Sequence, residues 1–89
     1  MNKRLYMVYD LVASTVLPTV IVESADAPAM RSFNDALANS QSLLGQHPAD
    51  FNLLCIGEVT DQGILLPTGD LPVIATGAAW LNLKGADNA

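Results

Sequence analysis

The side chains best suited to reaction chemistry are the chain's single histidine and single cysteine, His47 and Cys55. An imidazole next to a thiol can remove its proton and produce a sulfur nucleophile. Cys55, however, lies in the apolar stretch FNLLCIGEV, where an unpaired cysteine usually serves as a small buried hydrophobic residue. We therefore expect no catalytic residue at this pair, and we predict that the chain is not an enzyme.

Metal and cofactor sites are not expected either. A structural zinc site needs about four Cys or His ligands at short spacings, and this chain has one residue of each kind. The nine acidic residues are scattered, and the sequence contains no GxGxxG or Walker loop for a phosphate. The sequence therefore predicts neither a bound metal nor a cofactor.

Four cationic residues oppose nine acidic ones, which gives a net charge of -5. Proteins that coat nucleic acid by neutralising phosphates need clustered Lys and Arg, so that mode of binding is not expected. Single strands are also bound by aromatic side chains that stack on bases beside a few cations. Two clusters of this kind are present, Tyr6 and Tyr9 beside Lys3 and Arg4, and Trp80 beside Lys84. The alternative is that these aromatic side chains belong to the core or to a subunit contact.

The length of 89 residues corresponds to one domain, predicted over 1–84 with a frayed tail at 85–89. A chain of this size buries only about 60 to 65% of its unfolded surface. Because 51% of the residues are hydrophobic, we expect some of them to contact a second subunit in a homodimer or higher homo-oligomer. No run approaches the ~18 consecutive apolar residues of a membrane span, and the lone cysteine fits a reducing, cytoplasmic location.

Two strands open the chain. The segment RLYMVYDLV, 4–12, is rich in β-branched and aromatic residues, with Leu5, Met7 and Tyr9 on one face and Tyr6 on the other. A short polar link leads to a second strand, VLPTVIVES, in which Pro18 removes a hydrogen-bond donor and favours an edge position or a bulge. The two strands are predicted to form a hairpin.

A helix is predicted over about 27–39, because Met30, Phe33 and Leu37 recur at three- and four-residue spacing. Asp26 is expected to cap its first turn and Pro28 to begin it. Arg31 is expected to face solvent.

The remainder alternates connectors and strands. In the connector QSLLGQHPAD, Gly45 is expected to take a positive φ. The segment 51–59 reads as a central strand, and a tight turn at 61–63 with Gly63 in the left-handed position predicts a second hairpin. Further strands are predicted at 73–75 and at 80–83. The fold class is therefore α+β, a small mainly antiparallel sheet of four to five strands with one helix, in the order β-β-α-β-β.

The order of these segments resembles the small nonstructural protein of gokushoviruses, the single-stranded DNA phages of the family Microviridae. The resemblance is carried by YMVYD, by AMRSFNDALANSQSLLGQHPADFNLLCIGEV and by DQGIL, and covers roughly residues 5–66. It implies a phage accessory protein of the host bacterial cytoplasm, often described as DNA-binding, with a part in single-strand synthesis or packaging. Within the matching motif, we expect Phe33 and Phe51 to lie in the core.

Two functional hypotheses follow from the resemblance. The first is weak binding of single-stranded DNA by a homo-oligomer through the N-terminal strand and the helix. The residues assigned to it are Lys3, Arg4, Tyr6 and Arg31. The second is a protein-interaction adaptor that contacts the phage replication or assembly machinery through an apolar sheet edge, without touching DNA.

Overall fold

The computed structural model describes the backbone of residues 1–87 and the side chains of residues 1–84. The elements in chain order are β1 (Lys3–Asp10), β2 (Thr15–Glu23), α1 (Asp26–Ala38), α2 (Leu43–Gln46), a 3₁₀ turn (Pro48–Asp50), β3 (Phe51–Val59), β4 (Leu65–Pro67), β5 (Val73–Thr76) and α3 (Gly77–Asp87). No helix in this part of the chain has the length and apolar character needed to cross a membrane. Residues 88 and 89 of the predicted tail, 85–89, lie outside the described residues. The fraying of this tail stays a prediction.

The strands form one antiparallel sheet in the order β2-β1-β3-β4, and β5 pairs with another part of β3. This confirms the predicted α+β class and both hairpins. The first hairpin turns earlier than predicted, because the Asp10 carboxylate accepts hydrogen bonds from the backbone N–H groups of Val12 and Ala13. The second hairpin turns at Gly63, which donates its N–H to the Thr60 carbonyl. Its φ of 88° is positive, as predicted.

Pro18 lies on an edge strand and at a bulge, as predicted from the sequence. The Met7–Val20 and Tyr9–Val16 pairs flank a register shift in which three β2 residues face a single β1 residue. Proline has no backbone donor, so an outer strand with a bulge accommodates it without losing a ladder hydrogen bond.

One face of the sheet is covered by α1 and carries the core. The predicted helical stripe is buried as expected, with Phe33 1% and Leu37 2% exposed, and Phe51 is buried opposite it. The buried cluster consists of Tyr6, Ala29, Phe33, Leu37, Leu44, Phe51, Leu53 and Cys55. Most of the apolar area that stabilises the fold is therefore buried between α1 and the two central strands.

Three local predictions are wrong. Asp26 does not cap α1, since Ala25 occupies the cap position without a side-chain hydrogen bond and Asp26 is the first helical residue. Gly45 does not take a positive φ but lies within α2. The N-cap of this helix is Ser42, whose hydroxyl accepts the Gly45 N–H at 2.9 Å.

The third wrong prediction is the strand at 80–83, which is part of α3. The Thr76 hydroxyl accepts the backbone N–H of Ala79 at 3.0 Å and so caps the helix. The helix then packs closely on the 3₁₀ turn, because a β-carbon placed on Gly77 would lie only 1.6 Å from the Pro48 carbonyl oxygen.

The other face of the sheet carries no helix, and we call it the open face. In the strand registers, Leu5, Met7 and Tyr9 of β1 pair with Val22, Val20 and Val16 of β2. On the other side they pair with Gly57, Leu54 and Asn52 of β3. Because paired residues share a face, the open face is almost entirely apolar, and Val20 and Val22 remain 50% and 48% exposed.

Candidate functional site

Arg4 is held by a polar network at the start of α1. Its Nε donates to the Asp26 carboxylate at 2.8 Å and to the Tyr6 hydroxyl at 3.1 Å. The Tyr6 hydroxyl in turn donates to Asp26, and Arg4 Nη2 lies 3.3 Å from the Cys55 sulfur. The network joins β1, β3 and the first turn of α1, so it fixes where the helix lies on the sheet.

Tyr6 lies in the core and is fully buried. Burial, together with the hydrogen bond to Asp26, raises the pKa of Tyr6 to about 12. The hydrogen bond to the Tyr6 hydroxyl raises the pKa of Arg4. A ring in this position has no free face for a base, so Tyr6 holds the helix in place and does not offer a stacking surface.

Of the four residues assigned to nucleic-acid binding, the structure brings together only Arg4 and Tyr6. Arg4 is in register with Glu23 on one side and Glu58 on the other, in addition to its bond with Asp26. The ion pair with Asp26 and an acidic residue on each neighbouring strand make these surroundings unfavourable for a phosphate. Lys3 is exposed on the opposite side of β1, paired with Val59, and Arg31 is exposed on α1.

The histidine–cysteine pair is not assembled. The Cys55 sulfur is fully buried and is hydrogen-bonded by Arg4, and its thiol contacts the Gly57 carbonyl at 3.6 Å. His47 is exposed and ends α2. Among the residues that the structure describes, no three His, Cys, Asp or Glu side chains are grouped as metal ligands would be.

A groove between α1 and α3 offers a better binding geometry than the N-terminal strand. Its volume is about 230 Å³, and its lining consists of Met30, Asn34, Ile74, Ala75, Thr76, Ala79, Trp80 and Leu83. The wall is apolar and aromatic, with the amide of Asn34 and the hydroxyl of Thr76 as polar groups. A cleft of this composition suits a flat ring with hydrogen-bonding edges.

A cation lies beside the aromatic wall of this groove. The ammonium group of Lys84 is 5.1 Å from the centre of the Trp80 ring, which is the distance of a cation–π contact. On the facing helix, Arg31 and Asn34 are surface neighbours because they are three residues apart. Arg31 itself lines a separate pocket with Glu23, Ala27, Pro28 and Ser32, so the groove combines one ring with one cation, Lys84.

The sequence contains local signals for this groove, although the pattern at 80–83 predicts a strand. Trp80 and Lys84 are four residues apart, a spacing that makes them surface neighbours on a helix. Thr76 followed by Gly-Ala-Ala-Trp-Leu is a cap before good helix formers. The contribution of Asn34 to the lining depends on how α1 and α3 pack, which no local pattern specifies.

The chain was compared with known families, curated proteins and solved structures. The model of a family described as Phage ORF5 protein matches residues 3–80. No curated protein and no solved structure matches the chain. The matched stretch begins with β1 and ends at Trp80, so it includes all five strands, α1 and the start of α3.

Proposed function

Because the chain belongs to the Phage ORF5 protein family, we propose that it is a non-enzymatic accessory factor that contacts single-stranded DNA during viral genome synthesis or packaging. The location proposed for this activity is the cytoplasm of the host bacterium. The proposed contact is the groove between α1 and α3, in place of the N-terminal strand.

The observation that carries this proposal is the half-buried Trp80 with Lys84 5.1 Å from its ring, at the edge of an open groove. A base that enters the groove can stack on the exposed part of the indole, while Lys84 meets a neighbouring phosphate. Stacking of one base on an aromatic side chain contributes about 1 to 3 kcal/mol. This favours contact with one or two nucleotides per chain.

The charge distribution limits the strength of this binding. With one cation at the groove, the logarithm of the binding constant should fall with the logarithm of salt concentration with a slope of about -0.7. The net charge of -5 opposes any longer contact with the DNA backbone. We expect weak binding that is lost at moderate salt.

The test is a titration of the wild-type protein with oligodeoxythymidylate at low and at moderate salt. Trp80 is the only tryptophan, so quenching of its fluorescence would report stacking at the groove directly. Lys84→Gln, measured by anisotropy of labelled DNA, is expected to weaken binding several-fold and to lower the salt slope by about 0.7. Arg31→Gln should weaken binding less, because Arg31 lines a separate pocket beside Glu23.

Lys3→Gln is the matched control, because it removes the same charge from a residue on the opposite side of the sheet and should leave binding unchanged. If the wild type does not bind at low salt, the proposal is wrong. Equal losses in all three variants would also contradict it, because they would show that only overall charge matters.

A second candidate function is the protein-interaction adaptor, which is favoured by the exposure of β4. Leu65 is 67% exposed and Leu66 43% exposed, and the preceding Ile64 is also exposed. An apolar edge of this kind is an expected contact for another protein of the phage.

The adaptor hypothesis predicts that Leu65→Glu abolishes pull-down of a purified replication or assembly protein of the same phage, while Lys84→Gln does not. A lysine or glutamate at an exposed edge is well tolerated, so thermal stability should stay near that of the wild type. Unchanged pull-down by the Leu65→Glu protein would rule out β4 as the contact.

A further inference from the structure

We propose that the open face of the sheet is covered by a second copy of this chain, packed sheet against sheet. The proposal does not depend on DNA binding, because the groove between α1 and α3 lies on the helix-covered side. Two sheets can pack face to face about 10 Å apart, with the side chains of both inner faces interlocked.

The chemistry of the face matches that of a subunit interface. Its members are Val16, Val20 and Val22 of β2, Leu5, Met7 and Tyr9 of β1, and Leu54 and Ile56 of β3. The three valines of β2 are exposed, and the others are half-buried except Leu54, which is 7% exposed. Exposed apolar area that is contiguous in this way is characteristic of protein contacts.

The acidic residues lie where two copies can meet without repulsion. In the strands, Asp10, Glu23 and Glu58 are in register with Phe51 or Arg4, on the helix-covered side. The other acids whose side chains are described lie in α1, turns and loops, at Asp26, Asp35, Asp50, Asp61 and Asp70. A chain with a net charge of -5 can therefore pair with itself through this face, whereas contact through the helix side would oppose like charges.

Both edges of the sheet are poorly suited to the alternative of edge-to-edge pairing. On β2, Pro18 and the register shift interrupt the outer edge. On the other edge, β4 has only three residues and ends in Pro67, which has no backbone donor. Proline, bulges and short strands are the features that prevent pairing through sheet edges. The open face is therefore a better surface for self-association than either edge of the sheet.

The size of the face sets the expected strength. Strands lie about 4.8 Å apart and rise about 3.3 Å per residue, so the three strands that form the face, with eight or nine residues each, present roughly 14 by 28 Å. Two such faces in contact cover about 800 Å² in total, below the ~1,000 Å² expected of a tight specific interface. We expect a reversible dimer with a dissociation constant in the micromolar range.

The experiment is sedimentation equilibrium of the wild-type chain from low micromolar to low millimolar concentration. The average mass should rise from one chain to two. Val20→Asp places a carboxylate on the open face of both copies and should keep the chain monomeric at all these concentrations. Val12→Asp is the matched control, because Val12 is 76% exposed in the turn after β1, and it should dimerise like the wild type.

A second measurement guards against misfolding of the Val20→Asp protein. Val20→Cys and Val12→Cys introduce a thiol on the open face and in the turn, while the native Cys55 is fully buried. Thiol modification at position 20 should slow several-fold as concentration rises through the dimerisation midpoint, and modification at position 12 should not. A wild type that is monomeric throughout, or a rate at position 20 that is independent of concentration, would overturn the proposal.

Discussion

At the scale of single residues, the most informative group is the network of Arg4, Tyr6 and Asp26. Their side chains come from β1 and from the first turn of α1, 20 or more residues apart in sequence. A buried hydroxyl without a partner would cost about 1 to 3 kcal/mol, and the carboxylate of Asp26 accepts a hydrogen bond from the Tyr6 hydroxyl. The same network removes Arg4 from the cations available to a ligand.

The raised pKa of Tyr6 makes stability depend on pH in the alkaline range. The unfolded chain releases the phenol proton near pH 10, whereas the folded chain keeps it to about pH 12. Between these values the unfolded state binds fewer protons than the folded state, so the free energy of unfolding falls as pH rises. Below pH 10 the full contribution is present.

The prediction is that wild-type stability, measured by urea unfolding, falls between about pH 10 and pH 12 more steeply than that of Tyr6→Phe. The difference between the two proteins should change by on the order of 2 kcal/mol over this range. Tyr6→Phe keeps the ring in the core but has no proton to release. If the two stability curves run parallel through this range, the buried hydroxyl does not titrate as the structure implies.

At the scale of secondary-structure elements, α3 forms one wall of the groove, and its position depends on Gly77. Only a residue without a β-carbon allows the helix to begin so close to the Pro48 carbonyl. The closeness of α3 to the 3₁₀ turn places Trp80 against α1, where it packs beside the core. The groove therefore depends on a backbone contact at Gly77, a residue that does not itself line the groove.

Gly77→Ala is expected to displace α3 and to destabilise the fold by about 1 to 3 kcal/mol, the usual cost of overpacking a tight contact. Thermal unfolding followed by circular dichroism gives the stability, and the fluorescence of Trp80 should shift towards that of a solvent-exposed indole. Ala78→Ser, at the exposed neighbouring position, is the control and should change neither measurement. An unchanged Trp80 spectrum in Gly77→Ala would show that this contact does not position the helix.

At the scale of the whole molecule, the two sides of the sheet have different chemistry. The helix-covered side carries the core, the acidic residues of the strands, and the groove with Trp80 and Lys84. The open face is apolar, with Lys3 at its margin. In the proposed dimer the grooves of both copies stay on the outer layers.

The consequence for the whole molecule is that DNA contact and self-association are separable. A protein that loses dimerisation through Val20→Asp should still show the quenching of Trp80 at low salt, since the groove belongs to one chain. A protein that loses DNA contact through Lys84→Gln should still dimerise. Each activity can therefore be tested in the absence of the other.

The sequence by itself determined the features that depend on neighbours along the chain. These are the α+β class, the main helix, the central strand, the edge position of Pro18 and the turn at Gly63. Periodicity and turn chemistry specify them because their hydrogen bonds and buried faces involve residues a few positions apart. Thr76 and the residues after it also carry a local helix signal, but the Gly and Pro residues around them favour short strands and turns.

Tertiary structure alone decided the roles of the functional candidates. It buried Tyr6, paired Arg4 with Asp26, placed Lys3 and Arg31 on different sides and brought Asn34 next to Trp80. These outcomes depend on strand register and on helix packing between distant segments, and a shift of one residue in register would have turned Tyr6 to the open face. Charge and aromatic content can be counted in a sequence, but whether they meet at one surface is decided only when the distant segments pack.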